Sequence, residues 1–243
     1  MTTQLRLTSV VLNGVGGPES GAIDLIYSYL LSEFGQNGYS YIAINQIGDE
    51  LNEFVMEESG KKVHVNIRYP AANDFDSKNI HEKNTTRLDV INIGLLRIAK
   101  EKGKLNAGVL EEIKAKIIYQ HFLFDFIVKA YVKKKNRQAK IVVRPLMDRF
   151  DYFLLMEEDG LEKSKTLIFS GGTTIYYFDR FFAKGKWQSE NEFVITGKAN
   201  EMEMYFFCDT CQVEYVNLTT APKPRLFEIY KSRHSSEDYM RWR

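Results

Sequence analysis

Cys208-Asp209-Thr210-Cys211 holds both cysteines of the chain. A Cys-x-x-Cys pair supplies half of a tetrahedral zinc site, or a dithiol that cycles through a disulfide. Zinc needs four ligands, and no second pair follows. His64, His81, His121 and His234 stand apart from one another and from the cysteines. The pair also closes a strand-like run rather than opening a helix, so it lacks the helix N-terminus that activates a redox thiol. The expectation is no metal and no cofactor, with Cys208 and Cys211 the only residues to consider for a metal.

A second constellation is Lys133-Lys134-Lys135-Asn136-Arg137, with Lys129, Lys140 and Arg144 close by in sequence. Clustered cations attract phosphates or an acidic protein surface. The same composition also suits a solvated hairpin tip that discourages edge-to-edge strand pairing. Lys133, Lys134, Lys135 and Arg137 are therefore the candidates for contact with a partner. A protein is preferred to nucleic acid because the whole chain carries a net charge of only +1.

A third lies in Lys62–Arg68, which alternates. Val63, Val65 and Ile67 share one face of a strand; His64, Asn66 and Arg68 share the other. That polar face could line the groove of an enzyme, or be the wet side of an antiparallel strand. No catalytic residue is assigned. Glu57 and Glu58 are adjacent in a strand and point to opposite faces, so they do not converge on one substrate. The loop Asn13–Pro18 follows a strand and precedes a helix, as a phosphate-binding turn would. However, the third glycine of G-x-G-x-x-G falls at Glu19, and the Gly-Lys-Ser/Thr ending of a P-loop is missing. Neither G-x-S-x-G nor H-E-x-x-H occurs.

The elements that must position these groups follow from periodicity. Alternation marks strands over residues 4–12 and 41–44, then a hairpin of 54–58 and 62–68 turning at Ser59-Gly60-Lys61. Ser20 caps a helix with its apolar face at Ile23, Ile26, Tyr27, Leu30 and Phe34. A central pair of helices follows. The first opens at Thr86, as a capping box with Asp89, and carries Leu88, Ile91, Leu95 and Ile98, widened by Val90, Ile93 and Leu96; it stops at Gly103. The second opens at Asn106 and carries Leu110, Ile113 and Ile117. Beyond them alternation resumes at Phe122–Val132 and 140–144. Further strands fall at Tyr152–Glu157, Thr166–Phe169, Thr174–Phe178, Glu192–Thr196, Met202–Cys208 and Val213–Leu218.

Composition sets the frame. With 243 residues, 44% hydrophobic and 27% charged, the chain resembles a globular protein rather than a disordered one. Its 16 Phe and 14 Tyr favour strands and an aromatic core. No apolar run approaches the roughly 18 residues of a membrane helix. The start, Met1-Thr2-Thr3-Gln4-Leu5-Arg6, lacks the apolar stretch of an export signal, so a cytoplasmic location with reduced thiols is expected.

The fold expected is α+β: antiparallel β-sheet-rich, with a central helical hairpin and an N-terminal helix. It is read as one integrated domain over 1–243, with sub-regions 1–121 and 122–243 and the polar loop 70–84 as the alternative boundary. The function expected is that of a non-enzymatic cytoplasmic protein-binding protein, of the immunity or antitoxin type that blocks a toxin. The alternatives are an enzyme with a dispersed polar site around His64, Asn66 and Arg68, and a nucleic-acid-binding module using the basic turn.

Overall fold

A computed structural model describes residues 8–14, 21–48, 50–69, 75–171, 181–198 and 202–217. The fold is α+β. The chain divides into two compact units, Met1–Phe124 and Asp125–Arg243.

In the first unit, β1 (Ser9–Asn13), β2 (Tyr41–Ile47), β3 (Phe54–Glu58) and β4 (Lys62–Arg68) form one sheet in the order β1-β2-β4-β3. β1 and β2 pair in parallel, as do β2 and β4; only the β3–β4 hairpin is antiparallel. The helix α1 (Gly21–Glu33) connects β1 to β2, the crossover that a parallel pair requires. Ile42, Ile44, Val63, Val65 and Ile67 are buried together. The helix α2 (Ile80–Lys102) crosses these strands, and its Gly94 is what lets it approach closely: a Cβ built there would lie 2.8 Å from Ile44 Cγ2.

α1 also closes the free edge of β1. The amides of Thr8, Val10 and Leu12 point outward from the sheet. They donate to Ser32 Oγ at 3.4 Å, Ser28 Oγ at 2.9 Å and Asp24 Oδ2 at 3.4 Å. Acceptors four residues apart on a helix match donors two apart on a strand, so these three amides are taken up and do not template pairing with another chain.

α2 opens at Asn79, not at Thr86. Asn79 Oδ1 accepts from the Glu82 amide at 3.0 Å, and Glu82 Oε2 accepts from the Asn79 amide at 3.0 Å. Thr86 instead lies buried inside the helix and donates to the Glu82 carbonyl. The stretch Ile80–Asn84, read as loop from its polarity, is thus helical. Leu88, Ile91, Leu95 and Ile98 are fully buried as expected, whereas Ile93 is exposed. Gly103 ends the helix in the left-handed region at φ 69°. α3 (Ala107–Tyr119) then starts from Asn106, whose side chain accepts from the Gly108 and Val109 amides. Tyr27 of α1 donates to Asn92 of α2 at 2.7 Å, and Asn92 donates to Glu111 of α3 at 3.0 Å, tying the three helices together. Lys114 pairs with Asp89 at 2.8 Å. The strand expected from Phe122 starts later, because His121 and Phe122 both take positive φ and turn the chain.

In the second unit, β5 (Phe126–Ala130), β6 (Arg137–Pro145), β7 (Phe150–Glu158) and β8 (Leu161–Gly171) form one antiparallel sheet. β9 (Lys184–Trp187), β10 (Glu192–Thr196), β11 (Met202–Phe207) and β12 (Gln212–Asn217) form another. The strands of this unit thus form two four-stranded sheets rather than one. Aromatic side chains meet between them. Tyr131 meets Phe193 at 5.3 Å between ring centroids and donates to the Phe182 carbonyl at 2.9 Å. Gly185 leaves room for both rings, since a Cβ there would lie within 2.7 Å of each. Tyr152, Phe169 and Phe182 form a neighbouring cluster. The strand expected at Thr174–Phe178 and the tail from Thr219 lie outside the described residues.

Candidate functional site

Four hairpin turns of the second unit gather at one end, and the basic run and the cysteine pair both sit there. The β5–β6 turn holds Lys133–Asn136, with Lys135 at φ 54°. The β7–β8 turn is Asp159-Gly160, both at positive φ, as a two-residue turn matching strand twist requires. The β9–β10 turn runs through Ser189 to Asn191, and the β11–β12 turn through Cys208 to Cys211.

Backbone bonds join these turns in pairs. The Asp159 amide donates to the Asn136 carbonyl at 2.9 Å, and the Cys208 amide to the Asn191 carbonyl at 2.8 Å. Arg137 links the pairs: Nε donates to Glu158 at 3.0 Å and Nη1 to the Glu190 carbonyl at 2.5 Å. Lys135 pairs with Glu190 at 2.9 Å, Asn136 donates to Asp159 at 3.1 Å, and Asn191 to Asp209 at 2.7 Å.

The electrostatics follow from this pairing. The Arg137 hydrogen bond holds the Glu158 carboxyl below its ordinary range, and Lys135 does the same for Glu190. Burial pushes the Cys208 thiol up, and the nearby Arg137 charge opposes that. Charges of both signs alternate over the surface. The Lys135 and Glu190 side chains are 74% and 75% exposed despite their contact. Val132, just before the β5–β6 turn, is 83% exposed, and Leu161, just after the β7–β8 turn, is 67% exposed. Fixed turns, charges of both signs and exposed apolar side chains thus meet at this end of the second unit.

The third constellation lies in the first unit. His64 and Asn66 share the sheet face opposite to Val63, Val65 and Ile67, as alternation predicts. His64 Nε2 lies 3.6 Å from Glu58 Oε1, and its ring is 6.0 Å from that of Tyr41. Asn66 ends a row of carboxamides across three strands: Asn13 donates to Asn45 at 2.8 Å, and Asn45 donates to Asn66 at 2.9 Å. This row was missed in the sequence because its members are 21 to 32 positions apart. Arg68 is turned to a local task. Its amide donates to Glu53 and its guanidinium to the Leu51 carbonyl at 3.0 Å, holding the chain that leads into β3. His64 and Asn66 are thus brought together, and Arg68 is engaged elsewhere.

Among the described residues, no group of three or more His, Cys, Asp or Glu side chains is arranged to hold a metal ion. No helix among them is long and apolar enough to cross a membrane. Compared with known proteins, the chain matches no family model, no curated protein and no solved structure.

Proposed function

We propose that this chain is a protein-binding protein that meets its partner through the gathered hairpin turns of the second unit. The observation that carries the reading is the cross-bracing of those turns by Arg137, together with the exposed Val132 and Leu161 that flank two of them in the chain. Loops fixed on a sheet scaffold are favoured for recognition, and fixing them in advance reduces the entropy lost on binding. Exposed apolar anchors ringed by polar groups are the usual anatomy of a protein interface. An inhibitor of the immunity or antitoxin type, seated on a toxin, is the form of binder proposed, since a tight rigid cap needs no catalytic group of its own.

The pairing of Lys135 and Arg137 with carboxylates weighs against nucleic acid, because neutralised cations release few counterions from a phosphate backbone. A second reading rests on the Asn13–Asn45–Asn66 row beside His64, which offers hydrogen-bond donors and acceptors to a small polar ligand. Affinity capture of the tagged chain from its native host at moderate salt separates these readings. One stoichiometric protein supports the proposal. Nucleic acid that washes off with salt, or nothing bound, contradicts it.

A further inference from the structure

We infer that Cys208 and Cys211 are a dithiol that closes to a disulfide by exchange with a low-molecular-weight disulfide, making the β11–β12 turn a site of reversible thiol modification. This inference does not depend on the proposed partner binding.

The two cysteines are the ends of the turn that follows the last paired residues, Phe207 and Gln212. The ends of a four-residue turn lie within about 7 Å of each other, and a disulfide needs Cα atoms about 4.4 to 6.8 Å apart. Cys211 lies in the left-handed region at φ 53°, and its Sγ folds back to 3.9 Å from the Cys208 carbonyl oxygen. The turn is held from outside. The Cys208 amide donates to the Asn191 carbonyl at 2.8 Å, and Asp209 accepts from the Asn191 side chain at 2.7 Å. Closing the bond therefore joins two ends that are already near, without moving a strand.

Exposure sets the order of events. Cys211 is exposed and Cys208 is partly covered. The Cys211 thiolate attacks one sulfur of the small disulfide, whose S–S bond breaks and releases one thiolate. The Cys208 thiolate then attacks Cys211 Sγ, expelling the second thiolate and forming the Cys208–Cys211 bond. The protein loses two electrons and two protons, and the small disulfide is reduced to two thiols. Burial holds the Cys208 thiol above its ordinary value, with the nearby Arg137 charge opposing that in part, which suits Cys208 to the second step rather than the first.

The full chain, fully reduced, is incubated with glutathione disulfide at mildly alkaline pH and followed by intact mass and thiol titration. With only two cysteines present, the assignment is direct. The expected product is a monomer lacking two hydrogens, carrying no glutathione and no titratable thiol, and a monothiol reductant returns it slowly. The variant Cys208→Ser is expected to stop at one stable glutathione adduct. Wild-type chain that keeps both thiols, accumulates a lasting glutathione adduct or forms disulfide-linked dimers would overturn the inference.

Discussion

Arg137 donates to the Glu158 carboxylate at 3.0 Å and to the Glu190 carbonyl oxygen at 2.5 Å, so one guanidinium spans two hairpin turns. An ammonium group cannot replace that planar fork. Arg137→Ala is expected to cost about 1 kcal/mol or less in global stability, because the pair is partly exposed. Its larger effect is local: amide hydrogen exchange at Asp159 rises, since the turn it belongs to loses its brace. Arg137→Lys leaves most of that exchange in place. Unchanged protection in both variants would show that backbone bonds alone hold the turns.

Asp125 contributes to the pH dependence of stability. Burial pushes its carboxyl upward, but Arg144, which binds it through both oxygens at 2.8 and 2.9 Å, and Lys165 outweigh that and hold it below the ordinary aspartate value. A depressed folded value means that the stabilisation is fully present above the unfolded value of about 3.9. It is lost as pH falls through the lower folded value. Acid unfolding monitored by circular dichroism should steepen below about pH 4, and Asp125→Asn should flatten that limb.

Ser28 accepts the outward amide of Val10 on the edge of β1, in a buried position. Ser28→Ala leaves that amide without a partner, at a cost of about 2 kcal/mol in urea unfolding. Ser28→Thr keeps the acceptor and should lose less, provided the extra methyl group is accommodated.

Asn79 and Thr86 compete as the start of α2, and the structure places the cap at Asn79. Asn79→Ala is expected to cost about 1 kcal/mol. Thr86→Val keeps the shape, removes only a bond to the Glu82 carbonyl, and should cost less. The reverse order in a pair of denaturant curves would move the helix start to Thr86.

Local signals are legible in the sequence, and long-range ones are not. The Phe54–Glu58 and Lys62–Arg68 hairpin is legible because period-two alternation and a Ser59-Gly60 turn are local signals, and both turn residues take positive φ. The start of α2 is misread because Asn79–Glu82 and Thr86–Asp89 are both capping-box patterns, and the polar stretch between them hides its helical face. Parallel pairing of β2 with β1 and β4 joins segments dozens of positions apart, as the row Asn13, Asn45 and Asn66 shows. The same holds for the candidate site. Lys133–Arg137 stands out as charge, but its partners Glu158 and Glu190 come from other hairpins. A bare cationic patch in the sequence is thus a charge-matched corner in the fold.

The most direct test of partner binding compares capture by the wild-type chain with that of a Val132→Asp, Lys135→Glu variant and a Leu51→Asp control. Leu51 is also exposed but lies in the first unit. All three should fold alike by circular dichroism. The account predicts one co-purifying protein, retained by wild type and control and reduced at least tenfold by the turn variant, a change of about 1.4 kcal/mol in binding. Equal retention by all three, or loss with the Leu51 control alone, would contradict it.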